Sequence, residues 1–515
     1  MRPLPPVEAR PQATSGSDPA KSGEPPEAPT LDPEAWEPLR ALAHRMLDDM
    51  LDYTAEIRRR PVWQVMPEAV RARFRAPLPA APGELADVYR EFQEIVLPYA
   101  GGNVHPGFMG WVHGGGTAVG MLAEMLAAGL NSNLGGRDHA PIEIERQVSE
   151  WMREVFGFPE GASGLFVTGS SQANFIAVLI AREAALRAGG LNGNGEGHLT
   201  AYTSAAAHAC ISKAMHMAGL GAAALRPIAV DEHHRIRLAE LRAAVAADRA
   251  AGRIPFLLVA TAGTVDIGAI DPLRDLSEIA AREGMWFHVD GAFGAWAKLA
   301  PELAPRLEGL ERADSLACDF HKWAQAPYDA GFILVRDGKQ ALATFAVDAP
   351  YLRRATRGAA AGSPWPCDYG PDLSRGFRAL KAWFTLKVYG TQRLGEVVAR
   401  CCRLARYLEM RIAANAELEL AAPVPLNIVC FRYRGGARDG GEDQDAVNAR
   451  IAAAVQHSGI AVPSTTVLDG RVALRAAIVN HRTQARDLDA LLEAVTRCGR
   501  QIAAAPAAGP SEAAG

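Results

Sequence analysis

Through the middle of the chain, short apolar runs alternate with Ala/Leu-rich segments of helical spacing. The runs at 164–168, 199–204, 256–261, 285–290, 315–318 and 331–336 are too short for buried helices and read as strands covered on both faces. Between them, 172–187, 210–218, 238–250 and 272–282 carry apolar residues three and four apart and read as the covering helices. Such alternation predicts a mostly parallel sheet between two helical layers. One connection breaks the rhythm. About a dozen residues separate 318 from 331, too few for a crossover helix, so the last strand is expected to run antiparallel to its predecessor.

The flanks carry weaker patterns. Leu39, Leu42, Met46, Leu47, Met50 and Leu51 predict an amphipathic helix over 36–51, and 62–97 reads as short helices broken by Pro67, Pro77, Pro79 and Pro82. This stretch has too few apolar positions for a core of its own and is expected to pack on another surface, such as a partner subunit. Gly-rich 103–116 is a loop system, and helices follow at 118–130 and 142–156. Beyond the sheet, 358–371 reads as a loop and 376–413 as one or two long helices. Strands at 427–433 and 472–477, a Gly/Asp-rich turn at 435–443 and helices at 445–458 and 484–495 make a smaller α+β unit.

Composition narrows the class. At 515 residues, 49% hydrophobic and 22% charged, the chain has the make-up of a globular enzyme of two or three domains. A net charge of −4 argues against a nucleic-acid surface, and no run approaches the roughly 20 apolar residues of a membrane span. Residues 1–30, rich in Pro, Ser, Gly and charge without an apolar signal segment, are expected to form a disordered cytoplasmic tail, with a second tail at 501–515. Seven scattered cysteines without a Cys-x-x-Cys pair fit reduced thiols better than a disulfide frame or a metal site.

Reactive side chains gather at the strand ends, where open α/β sheets bind ligands. Thr168-Gly169-Ser170-Ser171 joins a strand to a helix, so backbone N–H groups and serine hydroxyls could receive a phosphate; the same residues also make an ordinary N-cap. Asp290 closes an apolar strand ahead of Gly291 and Ala292. Buried there, a carboxylate needs a positive partner such as a protonated pyridine nitrogen, although taken alone a capping aspartate is the plainer explanation. In Asp319-Phe320-His321-Lys322-Trp323, Lys322 is an amine able to form a Schiff base with an aldehyde cofactor, its pKa expected to fall beside cations or apolar walls. His321 could donate to a phosphate, and Trp323 reads as core. His208 could stack on a flat cofactor, or simply cap or pack. Thr264, at a fourth strand end, could bond cofactor or substrate, or serve a turn. An anion cradle, a stacking ring, a buried carboxylate and a lysine are together what pyridoxal 5'-phosphate (PLP) requires.

These motifs resemble the group II PLP-dependent amino-acid decarboxylases, which include aromatic-L-amino-acid, histidine, tyrosine and glutamate decarboxylases. The resemblance runs from about 36 to 497. It is carried by HPGFMGWV (105–112), TGSSQAN (168–174), AAAHACISKA (205–214), TAGTVDIGAIDPL (261–273), HVDGAFG (288–294), DFHKW (319–323), RALKAWF (378–384) and VNHRT (479–483). The spacings of 82 residues from His208 to Asp290 and 32 from Asp290 to Lys322 add specificity. The resemblance implies an α/β fold of the aspartate-aminotransferase type (fold type I), with a mostly parallel central sheet and a smaller C-terminal α+β domain. It further implies a homodimer with active sites at the interface. The chain then divides into a tail (1–30), a helical dimerisation segment (31–101), a large PLP-binding domain (102–385), a small domain (386–500) and a second tail (501–515).

By the same resemblance, Ser170, Ser171 and His321 contact the phosphate and His208 stacks on the ring. Asp290 holds the pyridine nitrogen with Thr264 nearby, and Lys322 forms the internal aldimine. Phe108 and Trp111 match a segment that lines the substrate pocket and lean toward an aromatic or apolar side chain. The implied reaction converts an L-amino acid to its amine and CO2 through a quinonoid intermediate, with Lys322, His208 and Asp290 as the catalytic set. Animal aromatic-amino-acid enzymes carry a proton-donating tyrosine in a mobile loop. In the corresponding 354–371, Tyr351 precedes the loop and Tyr369 sits near its end, neither at the family position. The acid is then His113, His208 or water, or the scaffold forms an aldehyde or cleaves a carbon–carbon bond. Asp319 stands where those enzymes have asparagine, and an ionised carboxylate there would repel the phosphate.

Overall fold

The computed structural model describes residues 30–190, 198–347, 353–435 and 444–504. Residues 1–29 and 505–515 of the expected tails, Tyr351 and most of the 435–443 turn lie outside these residues, whereas 501–504, expected in the second tail, continue a helix. The chain divides into a unit ending at Asp52 and one beginning at Tyr53. Most of helix α1 (Trp36–Ala55) belongs to the first; none of its residues is buried.

In the second unit, α2 (Glu68–Arg73) and α3 (Leu85–Glu91) are short, as the prolines predict. Residues just before them fold back on their own chain: Val62 packs with Phe108 and Val462, and Arg58 pairs with Asp487 at 2.6 Å. Part of the segment expected to need a foreign surface therefore finds one within the chain. α4 (Ala118–Leu130) and α5 (Ala140–Phe156) lead into the sheet.

The sheet elements are β1 (Ser163–Val167), α6 (Ser170–Gly189), β2 (Leu199–Ser204), α7 (Cys210–Met217), β3 (Leu225–Ile228), α8 (Leu238–Ala250), β4 (Ile254–Thr261), α9 (Leu273–Glu283), β5 (Trp286–Asp290), β6 (Ser315–Asp319) and β7 (Gly331–Val335). Among the described residues seven strands form one sheet in the order β1-β7-β6-β5-β4-β2-β3. β2 to β6 run parallel, and β7 pairs antiparallel with both β6 and β1. The short 318–331 connection has the predicted consequence. The parallel strands end along one edge, which collects residues 168–171, 208, 261, 290 and 319–322.

Beyond the sheet, α10 (Gly338–Phe345) is followed by α11 (Arg378–Ala413), which kinks at Gly390 and runs across the expected domain boundary at 385/386. β8 (Leu418–Leu420), β9 (Ile428–Tyr433), α12 (Gln444–His457), β10 (Ser464–Leu468), β11 (Arg471–Ala477) and α13 (Ala485–Ala504) complete the fold. Their strands form an antiparallel sheet in the order β10-β11-β9-β8.

Candidate active site

At the collected edge lies a cavity of about 420 Å³ lined by Trp111, His113, Ser170, His208, Asp290 and Lys322, among others. A larger cavity near Asp271 lies away from these strand ends, and its arginines are engaged: Arg235 with Asp231, Arg274 with Glu308, Arg406 with Glu409.

Lys322 sits one turn past β6, in the connection that β7 pulls back across the sheet. Its Nζ lies 2.8 Å from Asp319 Oδ2. Burial alone would lower the lysine's pKa, but Asp319 and then Asp290 outweigh it, so the pKa rises. This reverses the fall expected from the sequence. The cause is two carboxylates where apolar walls or cations were anticipated. Asp319 is 1% exposed and accepts from Ser170 N at 2.6 Å and Ser170 Oγ at 2.7 Å. Burial would raise its pKa; Lys322, His321 and the Ser170 hydroxyl bring it below the usual carboxylate value. Both Ser170 donors assigned to phosphate are thus engaged by Asp319. His321 is buried, and its Nδ1 accepts from Ala330 N at 2.9 Å, which leaves Nε2 as the N–H donor. Trp323 is fully buried.

Glycines allow this crowding. A Cβ on Gly331 would stand 2.3 Å from the Gly169 Cα, so a side chain there would push the β1–α6 turn away. One on Gly114 would stand 2.4 Å from the carbonyl oxygens of both His321 and Lys322.

Asp290 is buried at the end of β5. Burial raises its pKa, against Lys322, the Ala292 N–H, His208 and Asn174. Asn174 Nδ2 donates to its Oδ2 at 3.0 Å, and Cys210 Sγ approaches the same oxygen at 3.8 Å. Burial and Asp290 push the Cys210 thiol up to about 12, so it stays protonated.

Trp111, His113 and Tyr328 form one wall. The His113 ring lies 6.1 Å from Trp111, 5.6 Å from Phe108 and 5.7 Å from Tyr328. Burial and then Lys322 lower the His113 pKa, so its ring is neutral near pH 7. Phe108 does not line the cavity; it is buried behind Trp111 with Val62 and Val462. Thr264 does not line it either. Its hydroxyl accepts from Ala269 N at 3.0 Å within the turn after β4. Thr261 lines the cavity instead, and its buried Oγ1 has no hydrogen-bond partner among the described residues. Ser171 and His208 line the cavity, the latter exposed.

The donor set fits PLP. An orphan hydroxyl at Thr261, a buried carboxylate at Asp290 and the N-terminus of a 20-residue helix at Gly169–Ser171 converge on one hollow that also contains a lysine. Residues 67–434 match the pyridoxal-dependent decarboxylase conserved domain. The chain belongs to the pyridoxal-dependent decarboxylases.

This decarboxylase is 30% identical over 457 residues to the aromatic-L-amino-acid decarboxylase of Bacillus atrophaeus, a match covering 88% of this chain and 93% of that one. It is 31% identical over 461 residues to the phenylacetaldehyde synthase of Arabidopsis thaliana, covering 87% and 93%. The crystal structure of Oryza sativa TDC with PLP and tryptamine matches with a TM-score of 0.84 at 25% identity, over 92% of this chain and all of that one. The pyridoxal-dependent decarboxylase is accordingly a PLP-dependent lyase of fold type I. The sequence reading did not single out Asn174, Thr261 or Tyr328. For Asn174 a signal was present, a polar residue in the apolar helical run after Ser171, and Thr261 carried one as the last residue of the predicted strand 256–261; Tyr328 carried none.

Proposed function

We propose that this decarboxylase acts on an L-amino acid with an aromatic or apolar side chain, releasing CO2 and the amine. The wall of the cavity carries the reading. Trp111, Val112, Phe293 and Tyr328 line it, and among the described residues Lys322 is its only lysine or arginine. A second substrate carboxylate would therefore meet no fixed guanidinium or other ammonium. The tryptamine in the Oryza sativa TDC structure and the aromatic substrate class of the Bacillus atrophaeus enzyme support the same choice.

PLP, when bound, supplies an electron-withdrawing ring that accepts the electron pair left by CO2. Lys322 is the amine that would hold the cofactor's aldehyde. Asp290, through its charge, keeps a proton on the ring nitrogen, an electrostatic contribution made larger by burial. His208 offers its exposed face for stacking, while Ser171 and His321 Nε2 are donors for the phosphate; the Ser170 pair reaches it only where Asp319 yields. Tyr369 packs with the Leu165 and Ile176 cluster and does not line the cavity, whereas Tyr328, His113 and His208 do, so the proton returned to the substrate carbon comes from one of these or from water. On this reading 102–385 is the PLP-binding domain, 386–500 the small domain and 31–101 the dimerisation segment of a cytoplasmic homodimer.

The test is a panel of the twenty amino acids plus dopa and diaminobutyrate, with CO2, amine, aldehyde and peroxide all measured. Amine and CO2 in equal amounts from aromatic substrates support the reading, and preference for an acidic or cationic substrate refutes it. A second reading, aldehyde formation, is favoured by the likeness to phenylacetaldehyde synthase and by the position of Tyr369. Aldehyde and peroxide without amine would establish it.

A further inference from the structure

Trp286, His288 and Asp290 alternate along β5 and so share one face of the strand. Ser315 lies opposite His288 in the register of β6. Four hydrogen bonds join these residues to α6. Trp286 Nε1 lies 2.8 Å from Ser315 Oγ, Ser315 Oγ 2.8 Å from His288 Nδ1, His288 Nε2 2.7 Å from Asn174 Oδ1, and Asn174 Nδ2 3.0 Å from Asp290 Oδ2. His288, Asn174 and Ser315 are fully buried, so water cannot complete or reverse the chain.

We propose that Trp286, Ser315, His288 and Asn174 are positioning residues, a one-way hydrogen-bond chain that holds Asp290 as an acceptor for the ring N–H of the cofactor. The direction follows from the two ends. An indole N–H can only donate, and an ionised carboxylate can only accept. Ser315 therefore accepts from Trp286 and donates to His288 Nδ1. His288 is then the neutral tautomer with its proton on Nε2, Asn174 accepts that proton, and its amide N–H faces Asp290.

The opposite direction is the one that would disable Asp290. A protonated Asp290 would donate to Asn174 Oδ1 with the amide flipped, the amide would donate to His288 Nε2, and His288 Nδ1–H would donate to Ser315. Ser315 would then accept twice, from His288 and Trp286, and its own hydroxyl proton would have no acceptor among the described residues. Leaving a buried donor unmet disfavours that arrangement. Trp286, half-buried at the start of β5, puts a donor on the side of Ser315 where an acceptor would be needed and keeps out water that could serve as one, so it acts as an end-stop four residues before the aspartate it biases.

The inference rests on the family's cofactor and not on the substrate proposed above, and its test uses no substrate. Holoenzyme is reconstituted with PLP carrying ¹⁵N in the ring, and the nitrogen resonance is recorded beside the PLP dissociation constant. Trp286→Phe removes the end-stop, His288→Phe removes the middle donor, and His288→Gln keeps an N–H for Asn174. The first two are expected to move the resonance toward the unprotonated position and weaken PLP binding about tenfold, the size of effect expected of one buried hydrogen bond. His288→Gln should recover most of both. Trp286→Phe changes a partly exposed residue, so it reports even where His288→Phe does not fold. A protonated resonance and wild-type affinity in folded Trp286→Phe would overturn the proposal, as would equal losses in His288→Gln and His288→Phe.

Discussion

Asp319→Asn separates what holds the cofactor-free protein together from what admits the cofactor. In the wild type the Asp319 carboxylate accepts from Ser170 N at 2.6 Å, from Ser170 Oγ at 2.7 Å and from Lys322 Nζ at 2.8 Å. Asparagine keeps the shape and one acceptor but leaves the ammonium without its nearest counter-charge. Breaking a buried pair costs about 3–5 kcal/mol. Asp290 still faces Lys322, so the loss belongs at the lower end, about 3 kcal/mol. Urea denaturation of the cofactor-free variant should show it. The difference should also be flat from pH 5 to 9. Asp319 has its folded pKa below 3.8, so its contribution is present above that value and fades only as the pH falls past it; Lys322 has its folded pKa above 10.5, so its contribution fades only as the pH rises past that.

Cofactor capture should change in the opposite sense. Wild-type PLP must draw Lys322 away from Asp319, and each 1.4 kcal/mol is tenfold in an equilibrium or a rate. Removing a pair of about 3 kcal/mol quickens association by up to ~100-fold. Stopped-flow absorbance after mixing apoprotein with PLP measures it. Opposite signs in the two assays distinguish this outcome from general damage, which would lower both. Wild-type stability together with wild-type association would refute the argument that Asp319 holds Lys322.

Other outcomes follow from the same reasoning. Glu145→Ala removes the buried partner of Arg375, whose guanidinium also reaches the Leu134 and Phe166 carbonyls; denaturation should show a loss of about 3–5 kcal/mol. Burial holds His288 down at about 3 and His481 at about 4, so both stay neutral in the fold while the unfolded chain takes up protons below about 6.5, and their stability contribution is lost as the pH falls. Asp271, raised to about 6 by burial, works the other way, so the net loss from these three between pH 7 and 5 is roughly 2–3 kcal/mol, measurable by denaturation at both values. Tyr328→Phe should lower amine formation by about 10²-fold or more if its phenol is the acid, with aldehyde and peroxide rising; an unchanged product ratio and rate would leave His113, His208 or water in that role.

Much of the large sheet was legible because strands buried on both faces read as uniform apolar runs. β2 and α8 form at their predicted bounds. β3 was missed because Leu-Arg-Pro-Ile at a sheet edge is half-exposed and contains Pro227, which an edge tolerates and a central strand does not. β10 was missed because Ser-Thr-Thr-Val-Leu carries too little apolar character to be read without its partner. At the site, the lysine, the aspartate and the cradle could be found from their positions after strands. Their mutual charges could not. That Asp319 would engage both Ser170 and Lys322 depends on a contact between residues 149 apart. Thr261 and Thr264 are three residues apart, and the turn closed by Ala269 decides which of them faces the cavity.

Lys322 and Trp111 line one cavity but are anchored to different sheets. The lysine's connection is pinned by β6 and β7, whereas Trp111 stands in a left-handed backbone conformation (φ 51°) whose carbonyl is held by Arg475 at 3.2 Å. Met109 beside it is tied to Val462 and Ala477. The amine and Tyr328 can therefore stay fixed while the Trp111 side of the cavity is re-tuned from the small sheet. Changes at 462–477 that never touch substrate should shift which side chain fits, so selection for a new amino acid has a route that leaves the chemistry untouched.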